Sequence, residues 1–508
     1  MPERKPKFYV TTPIYYVNDV PHLGHAYTTI AADVIARFKR LAGYDVLFLT
    51  GTDEHGLKIQ RAAEAAGKTP QEFVDEMVPI WKNLWRRLNI SYDSFIRTSS
   101  ETHKKAVLKL YQKLFSNGDI YKGFYEGYYC VACEAFYSIG DLKNGNCPIH
   151  NQPVEWLKEE SYFFKLSKYQ NRLLEFYEKN PNFIQPSFRK NEIINRVKNG
   201  LKDISISRAR VKWGIPLPHN KKHVVYVWLD ALTNYISAIG YGENSVEFKK
   251  WWPADLHLIG KDILWFHAVI WPSILMSAGI EPPKQIFAHG WWTVEGEKMS
   301  KTRGNVIDPN KIINKYGSDA FRYFILREMP FGQDGDFSEL ALNRRYNSDL
   351  VNGLGNLTKR IFTLVEKYFN NKIPEPKKVE RIDNDLISKV DCFKEINSYM
   401  NNLEFSRALE RIWDAMAFCD KYINETEPWK LYKEGKIERL STVTYNLLEA
   451  LREISLLLNP FLPDTSKKIQ EALNTQNQTF KDLYWGKLTP GLTIKSMEGV
   501  LFSKIKMP

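Results

Sequence analysis

The sequence has 508 residues, of which 44% are hydrophobic and 14% aromatic. This length exceeds what one core usually organises, so we expect two to four domains, and the apolar content excludes a mainly disordered chain. Lys and Arg outnumber Asp and Glu by 71 to 59, and the formal charge of +12 favours a polyanionic partner such as nucleic acid. Neither a signal peptide nor a membrane-spanning apolar run is recognisable, which predicts a cytoplasmic location.

The amino-terminal segments predict a parallel α/β sheet. "KFYVTTPIYYVND" is strand-like and ends in a turn, and "HLGHAYTTIAADVIARFKRLAG" has apolar residues at helical steps before a terminating Gly43. "YDVLFLTGTDEHG" then gives a continuously apolar strand of the kind that is buried on both faces. Ligands of such sheets bind at the carboxyl ends of the strands.

The predicted first helix begins with two histidines and a glycine. A helix amino terminus carries unpaired N–H groups and a partial positive charge, which together bind phosphate. Gly24 leaves the backbone bare, so that a flat base can lie on it, and His22 and His25 can donate hydrogen bonds to phosphate oxygens. The stretch therefore predicts a nucleotide-binding site.

A second basic motif lies almost three hundred residues further along, in "EGEKMSKTRGNVIDP". Its Gly and polar residues are typical of a mobile loop. Lys298 and Lys301 place two ammonium groups on flexible stems, which suits a reaction in which negative charge moves between phosphate oxygens.

Three of the five cysteines fall in "CVACEAFYSIGDLKNGNCPIH". Cys130 and Cys133 form a C-x-x-C pair, and after thirteen residues Cys147 and His150 form a C-x-x-H pair. Three thiolates and one imidazole at this spacing predict one tetrahedral Zn²⁺ that is structural, since four protein ligands leave no open position. Cys392 and Cys419 lie in helical patterns and are predicted to be core residues.

The two basic motifs together carry a family resemblance. "HLGH" resembles the HIGH signature and "KMSKT" the KMSKS signature of class I aminoacyl-tRNA synthetases. The bacterial methionyl type is similar in "GTDEHG", "YVWLDALTNYI" and "IGKDILWFHAVIWP". The resemblance implies a Rossmann-type catalytic domain split by an insertion with one zinc knuckle, followed by a helical anticodon-binding bundle. The predicted units are 1–117 and 221–295 (the two sheet halves), 118–220 (the insertion), 296–345 (the KMSKS-like loop and a stem-contact region) and 346–508 (the helical domain).

The resemblance also implies the reaction and its residues. L-Methionine would be activated by ATP, with Mg²⁺, to methionyl-adenylate and pyrophosphate, and then transferred to the terminal adenosine of initiator and elongator tRNA(Met). The catalytic residues would be His22, His25, Lys298 and Lys301, and ATP would also contact Gly24 and Asp262. The implied methionine-binding residues are Ile14, Tyr16, Asp53, Trp228, Ala231, Leu232, Tyr235, Phe266, His267 and Trp271, with Asp53 holding the amino group. The short insertion argues against the isoleucyl, leucyl and valyl relatives, which edit.

Beyond about residue 340, apolar residues recur at three- and four-residue steps and predict a helical bundle. Asn356 and Arg360 are four residues apart and share a helix face. The resemblance makes these two residues, with Trp429, the readers of the CAU anticodon. The chain stops about where longer methionyl enzymes continue, which leaves a monomer and a separate tRNA-binding subunit in trans both open.

Two other interpretations are considered. A zinc-containing RNA-binding protein without activity explains the charge and the cysteines, but it does not explain both signature motifs. A cysteinyl-type synthetase explains the motifs, but it is expected to hold a metal inside the amino-acid pocket, whereas these cysteines cluster in the insertion.

Overall fold

A computed structural model describes residues 5–131, 135–149, 151–243, 245–294, 296–298, 305–497 and 499–506. Seventeen strands occur in these ranges. They are β1 Lys7–Thr11, β2 Tyr15–Tyr16, β3 Asp45–Asp53, β4 Ser94–Arg97, β5 Ile120–Cys130, β6 Ala135–Tyr137, β7 Glu155–Phe164, β8 Ile184–Gln185, β9 Ile204–Ser205, β10 Ser207–Arg208, β11 Pro216–Leu217, β12 Asn220–Val225, β13 Leu256–Gly260, β14 Ile286–His289, β15 Trp292–Val294, β16 Glu297–Lys298 and β17 Gly335–Phe337.

Twenty α-helices occur in the same ranges. They are α1 Leu23–Leu41, α2 Leu57–Ala65, α3 Pro70–Arg87, α4 Glu101–Ser116, α5 Gln170–Lys179, α6 Ser187–Lys198, α7 Val227–Leu232, α8 Asn234–Ser237, α9 Ser245–Trp251, α10 Trp271–Ala278, α11 Pro309–Tyr316, α12 Ser318–Arg327, α13 Glu339–Arg345, α14 Asn356–Phe369, α15 Arg381–Val390, α16 Phe393–Asn401, α17 Phe405–Thr426, α18 Pro428–Lys433, α19 Ile437–Leu458 and α20 Pro463–Ala472. Within the described part of the chain, no helix has the length and apolar character that crossing a membrane requires.

The central sheet is parallel throughout, as the sequence predicts. Its strands follow the order β4, β3, β1, β13, β14, β8, and β2 pairs with the carboxyl end of β3. The chain lays β3 and β4 on one side of β1 and then returns to lay β13 and β14 on the other side. This reversal opens a crevice beyond the carboxyl ends of β1 and β13, where doubly wound sheets bind their ligands.

Helices cover both faces of the sheet and produce two buried cores. One core joins α1, α3 and α12 to the carboxy-terminal helices, and the other joins α4, α8 and α10 to the base of the insertion. Helix α1 fits the predicted periodicity, because Ile30, Val34, Ile35 and Phe38 are all buried, and Gly43 follows its end in a left-handed conformation (φ +89°).

The predicted insertion contains a four-stranded antiparallel sheet of order β6, β5, β7, β9. A smaller sheet of order β10, β12, β11 crosses its predicted end, because β12 begins at Asn220 and runs to Val225. Strand β8, however, leaves the insertion and pairs in parallel with β14 at the edge of the central sheet. Two residues are too few for a periodic pattern, so this return could not be predicted from the sequence.

The carboxy-terminal region is helical, as predicted. A π-helical stretch, Tyr346–Gly355, joins α13 to α14, so that one continuous helix runs from Glu339 to Phe369. Helices α15, α16, α18 and α20 pack against α17 or α19. Helix α19 is buried along nearly its whole length.

A buried ion pair connects α1 to this helical region. Arg322 of α12 lies 2.7 Å from the Asp33 carboxylate of α1, and both side chains are fully buried. The remaining guanidinium N–H groups of Arg322 donate to the carbonyl oxygens of Leu88 (3.1 Å), Pro460 (2.8 Å) and Phe461 (2.9 Å). One side chain therefore fixes three segments that are remote in sequence. Burial alone would raise the pKa of Asp33, but Arg322 and Arg37 hold it below its ordinary value.

We expect Arg322→Met to lower the free energy of unfolding by about 3 to 5 kcal/mol, because it leaves a buried carboxylate without its main partner. The matched control is Arg327→Ala on the same helix. Arg327 pairs with Glu410 at 2.8 Å, but the Glu410 side chain is 49% exposed, so a loss of about 1 kcal/mol or less is expected. Equal losses in urea denaturation would contradict the role assigned to Arg322.

Candidate nucleotide and amino-acid site

The entrance of α1 fixes the orientation of both histidines. The Nδ1 atom of His22 accepts the backbone N–H of Gly24 (3.1 Å), and the Nδ1 atom of His25 accepts the backbone N–H of His22 (3.1 Å). The two rings stack with centroids 3.8 Å apart. Because Nδ1 is an acceptor in each neutral ring, the ring proton must be on Nε2. Each imidazole is therefore left with an Nε2–H donor.

Burial keeps these imidazoles uncharged. It lowers the pKa of His22 to about 4, against which the nearby Asp262 acts weakly, and it lowers the pKa of His25 well below the ordinary value. His25 also packs against the rings of Tyr15 (5.0 Å) and Trp81 (4.8 Å). Near neutral pH the site thus offers two neutral donors.

The glycine between the histidines is closely packed against His22. A Cβ atom on Gly24 would stand 3.1 Å from Cε1 and 3.3 Å from Nδ1 of His22. Any side chain at this position would therefore press on the capping imidazole and cover the backbone that the sequence predicts a base to contact.

The chain that follows the second motif is bound to this same entrance. The backbone N–H of Leu23, inside "HLGH", donates to the carbonyl oxygen of Ile307 (3.2 Å). Ile307 follows Lys301 by six residues, a distance that extended chain spans in at most about 20 Å. On the other side of the motif, β16 ends at Lys298, which pairs with Thr293 of β15. Lys301 and the Lys298 side chain lie outside the described residues.

Asp262 lies on the opposite wall of the crevice, in a 3₁₀ turn directly after β13. The indole N–H of Trp291 donates to its Oδ1 atom (3.1 Å), and the backbone N–H of Trp291 donates to Asp334 (2.8 Å). Next to this wall, Thr28 of α1 contacts the Nε2 atom of His289 at 2.6 Å, so that α1 is joined to the end of β14. Asp262 also raises the pKa of His22 slightly against the effect of burial, so the predicted ribose ligand lies near one of the predicted phosphate ligands.

The residues implied for methionine come together at the carboxyl end of β3 and around α7. Tyr16 and Asp53 are direct neighbours across β2 and β3. The rings of Trp228 and Phe266 stack at 3.6 Å. A 2.7 Å hydrogen bond joins Tyr235 to His267. The remaining members are buried, namely Ala231, Leu232 and Trp271, except for Ile14, which is half-buried between β1 and β2.

The structure adds a buried polar network that the sequence analysis did not find. His55 and His103 both contact the carboxylate of Asp230, at 2.6 and 2.8 Å. Glu54, next to His55, is fully buried and binds Arg97 at 2.7 and 2.9 Å. The only signal was the run of three polar residues that ends a strongly apolar strand in "GTDEHG".

The structure describes two of the four predicted zinc ligands. Cys130 and Cys147 are both buried, at 1% and 0% exposure, while Cys133 and His150 lie outside the described residues. Cys130 ends β5 and pairs with Ala135 of β6. Within the described ranges, no cluster of three or more metal-ligating side chains is found.

The predicted anticodon residues lie on helices α14 and α18 of the helical region. Arg360 of α14 is held by Asp420 (2.5 Å) and by the amide oxygen of Asn424 (2.9 Å), both on α17. Asn356 is exposed, and Trp429, at the start of α18, is 42% exposed. Asn424 precedes Trp429 by five residues, so the end of α17 links Arg360 to the start of α18.

Comparisons with known proteins decide the family. A family model described as "tRNA synthetases class I (M)" matches residues 8–153 and 137–362, and one described as "Anticodon binding domain of methionyl tRNA ligase" matches residues 373–507. The methionine–tRNA ligase of Caldanaerobacter subterraneus subsp. tengcongensis is 52% identical over 99% of this chain and 79% of its own length. That of Thermotoga maritima is 51% identical over 98% of this chain and 80% of its own length.

The chain belongs to the methionyl-tRNA synthetase family. It is thereby a class I aminoacyl-tRNA ligase, which excludes both the non-enzymatic and the cysteinyl interpretations. Among solved structures, Mycobacterium tuberculosis methionyl-tRNA synthetase in complex with methionyl-adenylate superposes with a TM-score of 0.94 at 43% identity, covering 96% of this chain and 98% of the other. The anticodon-binding match begins after α14, so Asn356 and Arg360 fall in the other match.

The pKa of His22 predicts a pH dependence of stability. The unfolded chain protonates His22 near the ordinary pKa of 6.5, whereas the ligand-free folded protein does so only near pH 4. The contribution of neutral His22 to stability is therefore complete above about pH 6.5 and is lost as the pH falls toward about 4. His22→Asn keeps a helix-capping side chain. We expect its free energy of unfolding to rise relative to that of the wild type as the pH falls through this interval. A constant difference in urea denaturation would contradict this.

Proposed function

We propose that this chain activates L-methionine with ATP and transfers the methionyl group to the terminal adenosine of initiator and elongator tRNA(Met). The observation that carries the proposal is the hydrogen bond from Leu23 to Ile307. It brings the chain six residues after Lys301 to the "HLGH" entrance of α1, which supports one shared site for two motifs that are remote in sequence. The solved adenylate complex of a relative with the same fold supports the same chemistry.

The geometry supports activation by positioning and charge stabilisation. The methionine carboxylate attacks the α-phosphorus of ATP, which enters as its Mg²⁺ complex, and pyrophosphate leaves in line. His22 and His25 donate their Nε2–H groups to α- and β-phosphate oxygens as negative charge develops there. Lys298 and Lys301 meet the departing pyrophosphate, and Asp262 takes the ribose hydroxyls.

The second step uses the bound adenylate. A ribose hydroxyl of the terminal adenosine attacks the carbonyl carbon of methionyl-adenylate, and AMP leaves. Asp53 holds the methionine ammonium in both steps, and the surrounding aromatic side chains contact the thioether. No enzyme-bound covalent intermediate is required.

ATP–pyrophosphate exchange with a panel of amino acids tests the proposal. We expect exchange with methionine and only weak exchange with leucine, isoleucine, valine and cysteine. Silence with methionine, or a stronger response to another amino acid, would overturn it.

Lys301→Ala is expected to lower the rate of ATP–pyrophosphate exchange by about 100-fold, the scale of losing one transition-state donor. Lys315→Ala is the control, because Lys315 is half-exposed and pairs with Glu339 on the surface. A rate for Lys301→Ala within a few-fold of that of the control would refute the assigned role.

We further propose that Cys130, Cys133, Cys147 and His150 bind one structural Zn²⁺. The two described thiols fit this role, since both are buried and Cys147 lies in a tight turn closed by hydrogen bonds with Gln152 and Asn151 (both 2.9 Å). A zinc ion with four protein ligands cross-links the turns and does not activate water.

Elemental analysis of purified protein should find one zinc ion per chain and a loss of zinc in Cys130→Ser and Cys147→Ser. Cys392→Ser and Cys419→Ser provide matched controls, because these thiols are equally buried but lie among the carboxy-terminal helices. Wild-type protein without zinc, or equal zinc in all four variants, would contradict the proposal.

Asn356, Arg360 and Trp429 are proposed to read the anticodon. The clamp of Asp420 and Asn424 presents the Arg360 guanidinium in one orientation, and the exposed indole of Trp429 can stack on an unpaired base.

Trp429→Ala should raise the KM for tRNA(Met) by about 10-fold or more, since stacking contributes about 1 to 3 kcal/mol per base, without changing ATP–pyrophosphate exchange. Trp429→Phe keeps a stacking ring and should lose less. A parallel loss of exchange and aminoacylation in Trp429→Ala would instead indicate a folding defect.

A further inference from the structure

The buried cluster of His55, Asp230 and His103 has no part in the proposed mechanism. The Nδ1 atom of His55 lies 2.6 Å from Oδ2 of Asp230, and the Nε2 atom of His103 lies 2.8 Å from Oδ1. The three side chains are at most 2% exposed. A polar network this deeply buried has to be satisfied internally, and this one is built around a single carboxylate.

The hydrogen-bond partners define which atom carries each proton. Burial would raise the pKa of Asp230, but His55 and His103 lower it to about 2, so Asp230 is a carboxylate that accepts from both rings. His103 contacts the Ser237 hydroxyl at Nδ1 (2.7 Å), and its Nε2–H donates to the Asp230 carboxylate. His55 donates through Nδ1. The two histidines thus use opposite ring nitrogens toward the same carboxylate.

The cluster joins the two segments that form the amino-acid site. His55 follows Asp53, the proposed ammonium ligand, by two residues at the carboxyl end of β3. Asp230 lies on α7 between Trp228 and Ala231, which belong to the proposed pocket wall. These segments are 175 residues apart in sequence. The hydrogen bond between His55 and Asp230 therefore sets how far the ammonium ligand stands from the aromatic wall.

The surrounding contacts keep the β3 end from adjusting by itself. Glu54 is fixed by Arg97, and the backbone N–H of Gly56 donates to the carbonyl oxygen of Trp213 (3.1 Å). The Trp213 indole donates to the carbonyl oxygen of Glu54 and its ring meets that of His55 edge to face at 5.3 Å. With this segment held, a change at His55 is transmitted to α7.

We infer that His55, Asp230 and His103 are positioning residues that set the spacing of the methionine pocket and thereby its affinity for the amino acid. This inference rests on the proposed function. The network touches neither the entrance of α1 nor Asp262 through any hydrogen bond described above, so it governs binding of methionine rather than of ATP.

The opposite nitrogens used by the two histidines allow a crossed test. An Asn amide places its N–H near the Nδ1 position of histidine, and a Gln amide places it near the Nε2 position. His55→Asn and His103→Gln should therefore retain the bond to Asp230, whereas His55→Gln and His103→Asn should lose it. We expect His55→Gln, His103→Asn and Asp230→Asn to raise the KM for methionine by about 10-fold, because small misplacements at a binding site are costly. The KM for ATP should stay within about two-fold of the wild-type value.

Asp119→Asn is the control for loss of a buried aspartate. Asp119 is 1% exposed and binds Tyr169, Ser277 (2.6 Å) and Lys168 (2.6 Å), none of which belongs to the proposed pocket. It should lower the thermal unfolding temperature without changing the KM for methionine.

ATP–pyrophosphate exchange separates the outcomes. Exchange of the wild type with methionine establishes the proposed function independently of the variants. If the wild type is active, the positioning role would be overturned by the same substitution, Asn or Gln, giving the lower KM for methionine at both positions. Parallel rises in the KM values for methionine and ATP, or an equal effect of Asp119→Asn, would also overturn it. A lower KM for methionine with Asn at position 55 and with Gln at position 103 would support the positioning role, since side chains that only fill space cannot produce this reversal.

Discussion

The buried ion pair between Asp33 and Arg322 fixes helix α1 against α12 and against the chain segments that Arg322 binds. A carboxylate and a guanidinium this deep are stable only when their remaining groups are hydrogen-bonded, and here the carbonyl oxygens of residues 88, 460 and 461 supply the partners. The body of α1 is thereby held between the sheet and the carboxy-terminal helices. Its entrance, at His22, projects toward the crevice, where Leu23 binds the chain after the second motif.

This arrangement makes the nucleotide site and the helical region parts of one packed body. Phe38 of α1 meets Phe480 at 4.9 Å and Phe393 of α16 at 6.4 Å. The same apolar core extends without a break from α1 to α20. The proposed anticodon residues and the proposed phosphate ligands are therefore connected by close-packed side chains, which transmit displacement much better than a flexible linker would.

The charges in the crevice are divided between two kinds of side chain. Burial removes the positive charge from His22 and His25 and turns them into oriented neutral donors. In the proposed reaction, positive charge would come instead from the lysines of the second motif, whose described flanks are β16 and the contact at Ile307. The two histidines are preorganised by the fold as neutral donors.

The sequence by itself determined the elements that depend on local pattern. The apolar steps of α1, α17 and α19, the continuous apolar run of β3 and the glycine between two histidines all reflect neighbours within a few residues. The parallel sheet, the helical carboxy-terminal region and the family were predicted correctly on these signals. Tertiary structure alone decided the return of the two-residue strand β8 to the sheet, the uncharged state of His22 and His25, and the meeting of Asp230 with His55 and His103. The physical reason is that such pairings cross 100 residues or more, and that burial, which sets protonation, exists only once the whole chain has packed.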